Sequence, residues 1–255
     1  MLILLSPSKS LNFESSTLDY PTTLPMFRTK SLELIKIMKT KSAKDLMEMM
    51  EISESIAVEN VRRYKNYKAR FPDQQSKAAI FAFDGDVYTG LDAYTMSEEN
   101  IYYANEHVRI LSGLYGVLKP LDKMQAYRLE MGRKLATAQG SNLYHFWGDD
   151  IAKSLKKDLK NSGQEPFILN LASDEYFKAV NEKILKADIL NINFKEDRNG
   201  KLQFISYNAK KSRGQMARFV IDHKIERKED LKSFDIDGYR FIPEASTKTE
   251  WLFVK

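Results

Sequence analysis

Four cations lie at the junction of a predicted strand and a predicted helix, and their positive charges could bind an anionic ligand. The segment follows a predicted strand from Lys201 to Tyr207, leads into a predicted helix from Gln215, and carries Lys210, Lys211, Arg213 and Arg218. Because the N-terminal end of a helix is itself positive, clustered cations there are unfavourable unless an anion lies nearby. The sequence therefore predicts anion binding at this segment. Ion pairs with acids elsewhere remain the alternative, and the candidates are Asp84, Asp86, Asp92 and Glu130.

A second group of cations follows a pair of glycines in the segment from His107 to Leu135. Gly113 and Gly116 interrupt an apolar run that Lys119-Pro120 ends, and the cations that follow are Arg128, Arg133 and Lys134. This pattern predicts the end of a helix, a tight glycine hairpin and the start of a second helix. The backbone amides freed at such a turn can hold a phosphate. The alternative is a corner between two helices whose glycines only permit close packing.

The same stretch resembles the hairpin of a helix-hairpin-helix module, in which a hydrophobic-glycine-hydrophobic turn presents backbone amides to DNA. The matching residues are Leu114-Tyr115-Gly116-Val117. Such contacts, like those of Lys and Arg with phosphates, position a duplex without reading its sequence. We therefore expect any DNA binding to be non-specific or selective for DNA structure.

Polar groups that could perform acid–base chemistry occur in two loops that follow predicted strands. Ser6 and Lys9 follow the apolar strand from Met1 to Leu5, and an acidic loop from Asp84 to Ala93 follows a predicted strand from Ala78 to Phe83. Loops at strand ends commonly carry ligand-binding groups. Acids, cations and a tyrosine together suit proton transfer, and the catalytic candidates are Lys9, Asp84, Tyr88 and Glu130. An enzyme acting on a small phosphorylated or carboxylated substrate is therefore the alternative to DNA binding.

The composition argues against a membrane protein. Charged residues make up 29% of the 255 residues, and no segment reaches the roughly 18 consecutive apolar residues that a spanning helix needs. The apolar start, MLILL, is shorter than a signal peptide and lacks its basic beginning. We therefore expect a cytoplasmic protein without membrane contact. The net charge of +5 and the isoelectric point of about 9.0 are compatible with an anionic partner.

Metal and disulfide chemistry have little basis in this sequence. The absence of Cys excludes disulfides and thiolate ligands, and the chain's three histidines, His107, His145 and His223, are scattered. The acidic loop lacks the ligand spacing and the terminal glutamate of a calcium loop. We therefore predict neither a metal nor a cofactor.

Helical and strand patterns can be placed along most of the chain. Apolar residues recur at helical spacing from Phe27 to Met38, and Ser42 with Asp45 has the spacing of a capping box. The apolar segment from Pro166 to Leu171 predicts a buried strand, and Asn199-Gly200 predicts a two-residue hairpin turn. The sequence has no internal repeat and no linker long enough to separate two domains.

Several stretches, taken together and in order, resemble the peroxide-stress protein YaaA family. They extend from Ser6 towards the C-terminal strands and read LSPSKSLN, FDGDVYTGLDA, RILSGLYGVLKPLDKMQAYRLEMG, LYHFWGDDI, ILNLASDEYFKAV and KKSRGQMARFVI. The sequence departs from the family's pattern at Ser8 and Ser212, where alanine is expected.

The resemblance implies a single compact α/β (mixed α+β) domain over residues 1–255, with a central sheet, surrounding helices, a positively charged cleft and a helix-hairpin-helix element. It also implies DNA binding and a role in limiting intracellular iron and oxidative DNA damage during hydrogen peroxide stress. We expect a monomer. The residues expected to bind DNA or another anion are Ser6, Lys9, Gly113, Gly116, Lys119, Arg128, Lys134, Lys210, Arg213 and Arg218.

Overall fold

A central sheet organises the protein, which the computed structural model describes over residues 1–14, 20–160 and 166–255. The strands in these ranges are β1 (Leu2–Leu5), β2 (Ser10–Leu11), β3 (Ser76–Ala78), β4 (Phe83–Asp84), β5 (Val108–Ser112), β6 (Gly116–Leu118), β7 (Lys123–Gln125), β8 (Phe167–Asn170), β9 (Asp188–Arg198), β10 (Lys201–Gln203), β11 (Arg240–Phe241) and β12 (Glu250–Val254). The main sheet has the order β11-β12-β9-β8-β1-β5-β6, and β10 pairs with β9. The five strands from β12 to β5 run parallel, whereas β11 and β6 are antiparallel to their neighbours. The carboxyl ends of the parallel strands therefore meet at one edge.

Helices surround this sheet, which confirms the predicted α/β class. They are α1 (Arg28–Met38), α2 (Ala43–Met50), α3 (Glu54–Asn66), α4 (Ala79–Ala82), α5 (Asp86–Leu91), α6 (Glu98–His107), α7 (Leu143–Trp147), α8 (Asp150–Leu159), α9 (Asp174–Phe177), α10 (Glu182–Leu185) and α11 (Ser206–His223). Within the described ranges, no helix has both the length and the apolar character needed to cross a membrane.

The first strand lies at the centre of the sheet, between β8 and β5. Its four residues, Leu2–Leu5, are fully buried. A strand in the middle of a parallel sheet is covered on both faces, so its sequence is a continuous apolar run rather than an alternating one. The buried apolar residues of the described chain form one contiguous core around it. That residues 1–255 form a single domain stays a prediction.

Two local predictions are confirmed in detail. Ser42 and Asp45 form a capping box at the start of α2, in which each side chain accepts a hydrogen bond from the backbone N–H of the other residue. Asn199 and Gly200 turn the chain between β9 and β10 with φ angles of 58° and 77°. Both patterns specify structure over a few residues, so they do not depend on the rest of the fold.

Two glycines let helices α5 and α11 lie in direct backbone contact. A Cβ atom on Gly90 would overlap with the carbonyl oxygen of Lys211, and one on Gly214 would overlap with that of Val87. Helices approach this closely only where the facing residues are small. The contact holds α5 against the part of α11 that carries Lys210.

The helix-hairpin-helix predicted between His107 and Leu135 is wrong. Val108–Ser112 forms β5 and Gly116–Leu118 forms β6, and the two strands pair as an antiparallel hairpin in which Ser112 lies opposite Gly116. Every residue of β5 is buried. A continuous apolar run fits a buried strand as well as a buried helix, so the local pattern could not separate the two structures.

The glycines of this β-hairpin lie in the core and serve packing. Gly116 has a φ of +71°, and a Cβ atom there would come within 2.7 Å of the Trp147 ring. The carbonyl oxygen of Gly113 accepts a hydrogen bond from Nε1 of Trp147 at 3.0 Å, and a Cβ atom on Gly113 would overlap with the carbonyl oxygen of Leu129. Close packing, the alternative function of these glycines, is therefore what the structure shows, although the corner joins two strands and not two helices.

The segment from Ala78 to Asp92 also differs from its prediction. Between β3 and β4 the chain makes one turn of helix, α4, whose four residues are all buried, so the apolar run fits a buried helical turn as well as a buried strand. The acidic loop contains helix α5, since Gly85 with a φ of +131° redirects the chain at the helix start. Helix α11 begins at Ser206, earlier than predicted, so Lys210 and Arg213 lie inside a helix.

Candidate functional site at the carboxyl edge of the sheet

The segments that follow β1 and β8 are joined at the carboxyl edge of the sheet. The Ser6 hydroxyl accepts a hydrogen bond from the backbone N–H of Ser173 at 2.8 Å and donates one to the Ser173 hydroxyl at 3.3 Å. The carbonyl oxygen of Ser6 accepts a hydrogen bond from the Tyr88 hydroxyl, on α5, at 3.1 Å. Three elements therefore meet at Ser6, at the edge where parallel sheets commonly bind ligands.

A buried carboxylate, Glu130, lies beside these segments and is surrounded by cations. Its side chain is only 4% exposed, and its oxygens lie 3.3 Å from Nζ of Lys9, 3.2 Å from Nη2 of Arg128 and 3.4 Å from Nε of Arg133. Three cations around one carboxylate leave an excess of positive charge. Because the side chain of Lys9 is 60% exposed, this charge reaches the surface.

The segment that carries Glu130 is held by three other elements. Gly113, directly after β5, lacks a side chain and so admits the carbonyl oxygen of Leu129. The Tyr64 hydroxyl, on α3, donates a hydrogen bond to the carbonyl oxygen of Arg128, and the backbone N–H of Gly132 donates one to Glu175 at 2.9 Å. A segment without regular structure is thus fixed firmly enough to hold a carboxylate in place.

Two polar atoms of this cluster are buried without a hydrogen-bond partner among the described residues. They are Nε of Arg128 and Oε2 of Glu130. Oε2 of Glu130 keeps the ion-pair contact with Nε of Arg133 at 3.4 Å, which is too poorly aligned or too long for a hydrogen bond. Buried polar atoms in folded proteins are nearly always hydrogen-bonded, so a bound ligand or an ordered water molecule would satisfy each of these two atoms.

Four buried tyrosine hydroxyls lie near Ser6 or Glu130. Burial raises the pKa of Tyr64, Tyr88, Tyr127 and Tyr176 above the ordinary value, and the charge of Glu130 adds to this rise at Tyr64, Tyr127 and Tyr176. These hydroxyls therefore stay protonated near neutral pH and act as neutral hydrogen-bond donors. Tyr88 uses its hydroxyl to hold the backbone of Ser6, which is a positioning role.

Two further cations, Lys210 and Arg213, lie on α11, which packs against α5. Nζ of Lys210 is 3.9 Å from Asp86 at the start of α5, and the Lys210 side chain is 52% exposed. Arg213 is half-buried and has no hydrogen-bond partner within the described ranges. Burial lowers the pKa of its guanidinium, and the charge of Asp174 acts in the opposite direction. We refer to these groups together as the carboxyl-edge site, which comprises Ser6, Lys9, Asp86, Arg128, Glu130, Arg133, Ser173, Asp174, Lys210 and Arg213.

A groove of about 580 Å³ opens beside Arg133 and extends the carboxyl-edge site. Its lining includes Lys41 and Lys134 as well as acids of α2 and Glu51. Arg133 bridges the groove and the site, since its guanidinium lies 3.1 Å from Glu51 and 3.4 Å from Glu130.

Comparison with known proteins identifies the family. A family model described as peroxide stress protein YaaA matches residues 1–245. This chain belongs to the YaaA family. Its relatives include proteins named UPF0246 from Aliivibrio fischeri strain ES114, 49% identical over 253 residues that cover 99% of this chain and 97% of the relative, and from Polaromonas sp. strain JS666, 48% identical over 99% and 98%. A UPF0246 protein of Hahella chejuensis is 44% identical over 100% of this chain and 99% of its own.

The YaaA-family structure brings together only some of the residues that were predicted to bind an anion or to act in catalysis. Those at the carboxyl-edge site are Ser6, Lys9, Arg128, Glu130, Lys210 and Arg213. The exposed Asp84 borders it, because its backbone pairs with that of Ser10. Lys134 is exposed in the adjoining groove.

Two predicted cations of the YaaA-family chain lie elsewhere. Lys119 follows β6, and because β6 runs antiparallel to β5, Lys119 lies at the opposite, amino edge of the parallel strands. Arg218 connects α11 to the end of α5, since its guanidinium donates hydrogen bonds to the carbonyl oxygen of Asp92 at 2.9 Å and to Thr95 at 2.8 Å. It also pairs with Asp222 at 2.7 Å. These contacts account for Arg218 without a ligand.

Sequence reasoning missed several members of the carboxyl-edge site. Ser173 and Asp174 directly follow the predicted strand at Pro166 to Leu171, so the rule that strand ends carry ligand-binding groups could have identified them as it did Ser6. Arg133 stood among the noted cations without an assigned role. Asp86 had been named as one possible ion-pair partner of these cations, and its oxygen lies 3.9 Å from Nζ of Lys210.

Proposed function

We propose that this YaaA-family protein is a cytoplasmic, monomeric DNA-binding protein of the hydrogen peroxide response, which binds the DNA backbone at the carboxyl-edge site. The observation that carries the proposal is the meeting of cations from three separate parts of the chain at one edge of the sheet. Lys9, Arg128 and Lys210 come from the loop after β1, the segment after β7 and helix α11. A phosphate backbone is the extended anion that such a surface fits.

The exposure of the cations supports contact with a large anion. Lys9 and Lys210 keep more than half of their side chains in solvent, and each lies more than 3 Å from the carboxylate it faces. The pair of Lys210 with Asp86 is exposed and so contributes little stability. Glu130 keeps Arg128 and Arg133 as partners when Lys9 turns away, so either lysine can turn to a phosphate at small cost. Lys134 adds one more exposed cation in the groove beside Arg133, whose lining also contains the acids Asp45, Glu48 and Glu51.

The binding mode that follows is insensitive to base sequence. Lys and Arg contacts with phosphates fix the register and orientation of a duplex and read no base. The chain's predicted hairpin amides take no part in the proposal, since Gly113 and Gly116 are buried. The limitation of intracellular iron and of oxidative DNA damage is part of the proposal on the ground of family membership.

The salt dependence of binding tests this proposal. We expect the affinity for a labelled duplex to fall steeply with salt, with a log–log slope of about −0.9 for each phosphate neutralised. Fluorescence anisotropy titrations at several salt concentrations measure the slope. A flat response, or no binding at low salt, would contradict binding through the backbone.

A second candidate function is catalysis on a small phosphorylated or carboxylated substrate at the same site. The observation that favours it is the burial of Oε2 of Glu130 and of Nε of Arg128 without a hydrogen-bond partner among the described residues. Backbone binding gives no reason for a buried carboxylate, whereas a general acid or base is a carboxylate held among cations and hydrogen-bond donors. In this function Glu130 would transfer a proton, and Arg128 and Lys9 would hold the anionic group of the substrate.

A further inference from the structure

One methionine side chain is exposed to solvent, whereas the others are shielded. The chain's ten methionines all lie in the described ranges, and among them only Met26, at 52%, is more than half exposed. Met47 and Met49 are half-buried against the core, and the other seven are at most 7% exposed. Peroxides oxidise cysteine and methionine, and this chain has no cysteine. The Met26 thioether is therefore the sulfur group that a dissolved oxidant reaches most easily.

The sulfur atom of Met26 is held in place by a hydrogen bond. The hydroxyl of Ser154, on α8, donates to Sδ of Met26 at 3.2 Å. Ser154 is 7% exposed, so the packing of α8 fixes the direction from which its hydroxyl approaches. A thioether sulfur has two lone pairs, and this hydrogen bond occupies one of them. The second lone pair remains available to an oxidant.

Met26 lines a groove of about 280 Å³ at the amino edge of the sheet. The charged residues in this lining are Arg109, Lys119, Asp122 and Asp158. Two cations and two carboxylates balance, so the groove has no preference for an anion. Hydrogen peroxide is uncharged and little larger than water, and it needs no opposite charge to enter. The groove therefore admits this oxidant to the sulfur of Met26.

We propose that Met26 is a site of oxidation by hydrogen peroxide and that Ser154 directs the incoming oxygen to one of the two lone pairs. The free lone pair of Sδ attacks one oxygen of hydrogen peroxide. The S–O bond forms as the O–O bond breaks, and the leaving hydroxide takes the proton of the transferred oxygen to become water. Sulfur loses two electrons and the peroxide gains them, so no further reactant is needed. The product, methionine sulfoxide, is a reversible modification because reductases restore the thioether.

The configuration of the product at sulfur reports on the hydrogen bond. Oxidation at one lone pair or at the other gives two different sulfoxide epimers. A methionine that projects freely into water has no bias between its lone pairs, whereas Ser154 covers one lone pair of Met26. One epimer should therefore form in excess. This inference does not rest on DNA binding, and membership of a family described as peroxide stress protein makes hydrogen peroxide the relevant oxidant.

The test treats the folded protein with hydrogen peroxide and follows each methionine by peptide mass spectrometry. We expect sulfoxide to form at Met26 about tenfold faster or more than at any other methionine, because the others are partly or wholly shielded. The digested peptides are then incubated with methionine sulfoxide reductase A or B, each of which accepts one epimer. One reductase should reduce nearly all of the Met26 sulfoxide, and the other should reduce little of it.

A serine variant separates the exposure of Met26 from the hydrogen bond. Ser154→Ala removes the donor and leaves a smaller side chain in the same space. Met26 should remain the methionine that is oxidised fastest, but each reductase should now reduce about half of its sulfoxide. Ser31→Ala is the matched control, since Ser31 is also buried and its hydroxyl donates to the carbonyl oxygen of Phe27 at 3.1 Å. This control should keep the parent's excess of one epimer.

Three results would overturn the inference. The first is sulfoxide formation at Met47 or Met49 as fast as at Met26. The second is equal reduction of the parent's Met26 sulfoxide by the two reductases, and the third is an unchanged excess of one epimer in Ser154→Ala. The first two are measured on the parent protein, so they do not depend on the folding of a variant. None of the three bears on DNA binding, because Met26 lies at the opposite edge of the sheet from the carboxyl-edge site.

Discussion

Lys9 and Glu130 form an ion pair of 3.3 Å in which the lysine is 60% exposed and the carboxylate 4% exposed. The pair joins the loop after β1 to the segment that carries Glu130. That segment passes close to the end of β5, because Gly113 has no side chain to obstruct the carbonyl oxygen of Leu129. A buried acid is thus connected to the surface by a cation that can also contact a ligand. This arrangement links stability, the proposed anion binding and the proposed proton transfer to one side chain, and substitution of Glu130 separates these three effects.

Glu130→Gln should destabilise the protein by about 3 kcal/mol, the lower end of the range for breaking a buried ion pair, because Lys9 stays solvated. The change removes one negative charge while preserving shape. Three cations then lack their common partner, so duplex affinity should stay equal or rise slightly. Denaturant unfolding and anisotropy with a duplex measure the two effects.

The control for this variant is Asp158→Asn, which breaks the buried 2.7 Å pair with Arg109 at the amino edge of the sheet. Asp158→Asn should lower the free energy of unfolding by a similar amount and should leave DNA affinity and survival in peroxide unchanged. If Glu130→Gln is folded and binds DNA but abolishes survival, whereas Asp158→Asn does not, the catalytic function should replace DNA binding as the account of this site.

Gly214→Ala should unfold the contact between α5 and α11. The added Cβ atom would overlap with the carbonyl oxygen of Val87, which cannot turn aside as a side chain can. Overpacking of a core costs typically about 1–3 kcal/mol, and a clash with backbone lies at or above the upper end. Thermal unfolding measures the loss. In Gly132→Ala the new atom would lie 3.2 Å from the flexible side chain of Glu175, so that control should lose little stability.

Gly116→Val should destabilise the β-hairpin without altering DNA affinity per folded molecule. The positive φ of Gly116 disfavours a β-branched residue, and the Trp147 ring occupies the space of the new side chain. Because Gly116 is buried, no phosphate reaches its amide. DNA affinity would be calculated per folded molecule, with the folded fraction taken from denaturant unfolding. A folded variant with strongly reduced DNA affinity would show that this hairpin does contact DNA.

Stability should fall at acidic pH in part through His107. Burial lowers the pKa of this imidazole, whose Nδ1 lies 3.0 Å from the carbonyl oxygen of Met1. The unfolded chain then binds a proton more readily than the folded one, so the contribution is present above about pH 6.5 and is lost as the pH falls further. The melting temperature of the parent should drop between pH 8 and pH 5.5 by more than that of His107→Gln. Parallel pH dependences in the two proteins would assign the loss to other groups.

Local signals in the sequence predicted what local interactions determine. The central strand at Leu2–Leu5 and the capping box of Ser42 each depend on a few neighbouring residues. Local signals did not predict the hairpin at Gly113, because an apolar run interrupted by glycines fits a buried strand and a buried helix equally well. Its structure is decided by pairing with β1, which lies far away in the sequence.

Only part of the carboxyl-edge site could be predicted, because its remaining contacts join residues that lie far apart in the sequence. Lys9 follows a strand, so its place at the carboxyl edge of the sheet could be inferred from the sequence. Its contact with Glu130 could not, since that requires the strand order and the close approach that Gly113 allows. Lys119 was predicted to belong to the site but lies at the amino edge of the parallel strands. The sequence did not reveal the antiparallel turn between β5 and β6 that places it there.

The most direct test of DNA binding at the carboxyl-edge site is the salt slope of a double variant, Lys9→Gln with Lys210→Gln. Its matched control is Lys119→Gln with Lys224→Gln, since Lys119 lies at the amino edge of the sheet. Lys224 lies over the ring of Tyr103, which stacks on His107, the last residue of α6 directly before β5. Both double variants lose the same charge. We expect the first to bind duplex DNA more weakly, with a log–log slope shallower by about 1.8 for two lost phosphate contacts, and the control to keep the parent's slope. Equal slopes in the two double variants would contradict DNA binding at this site.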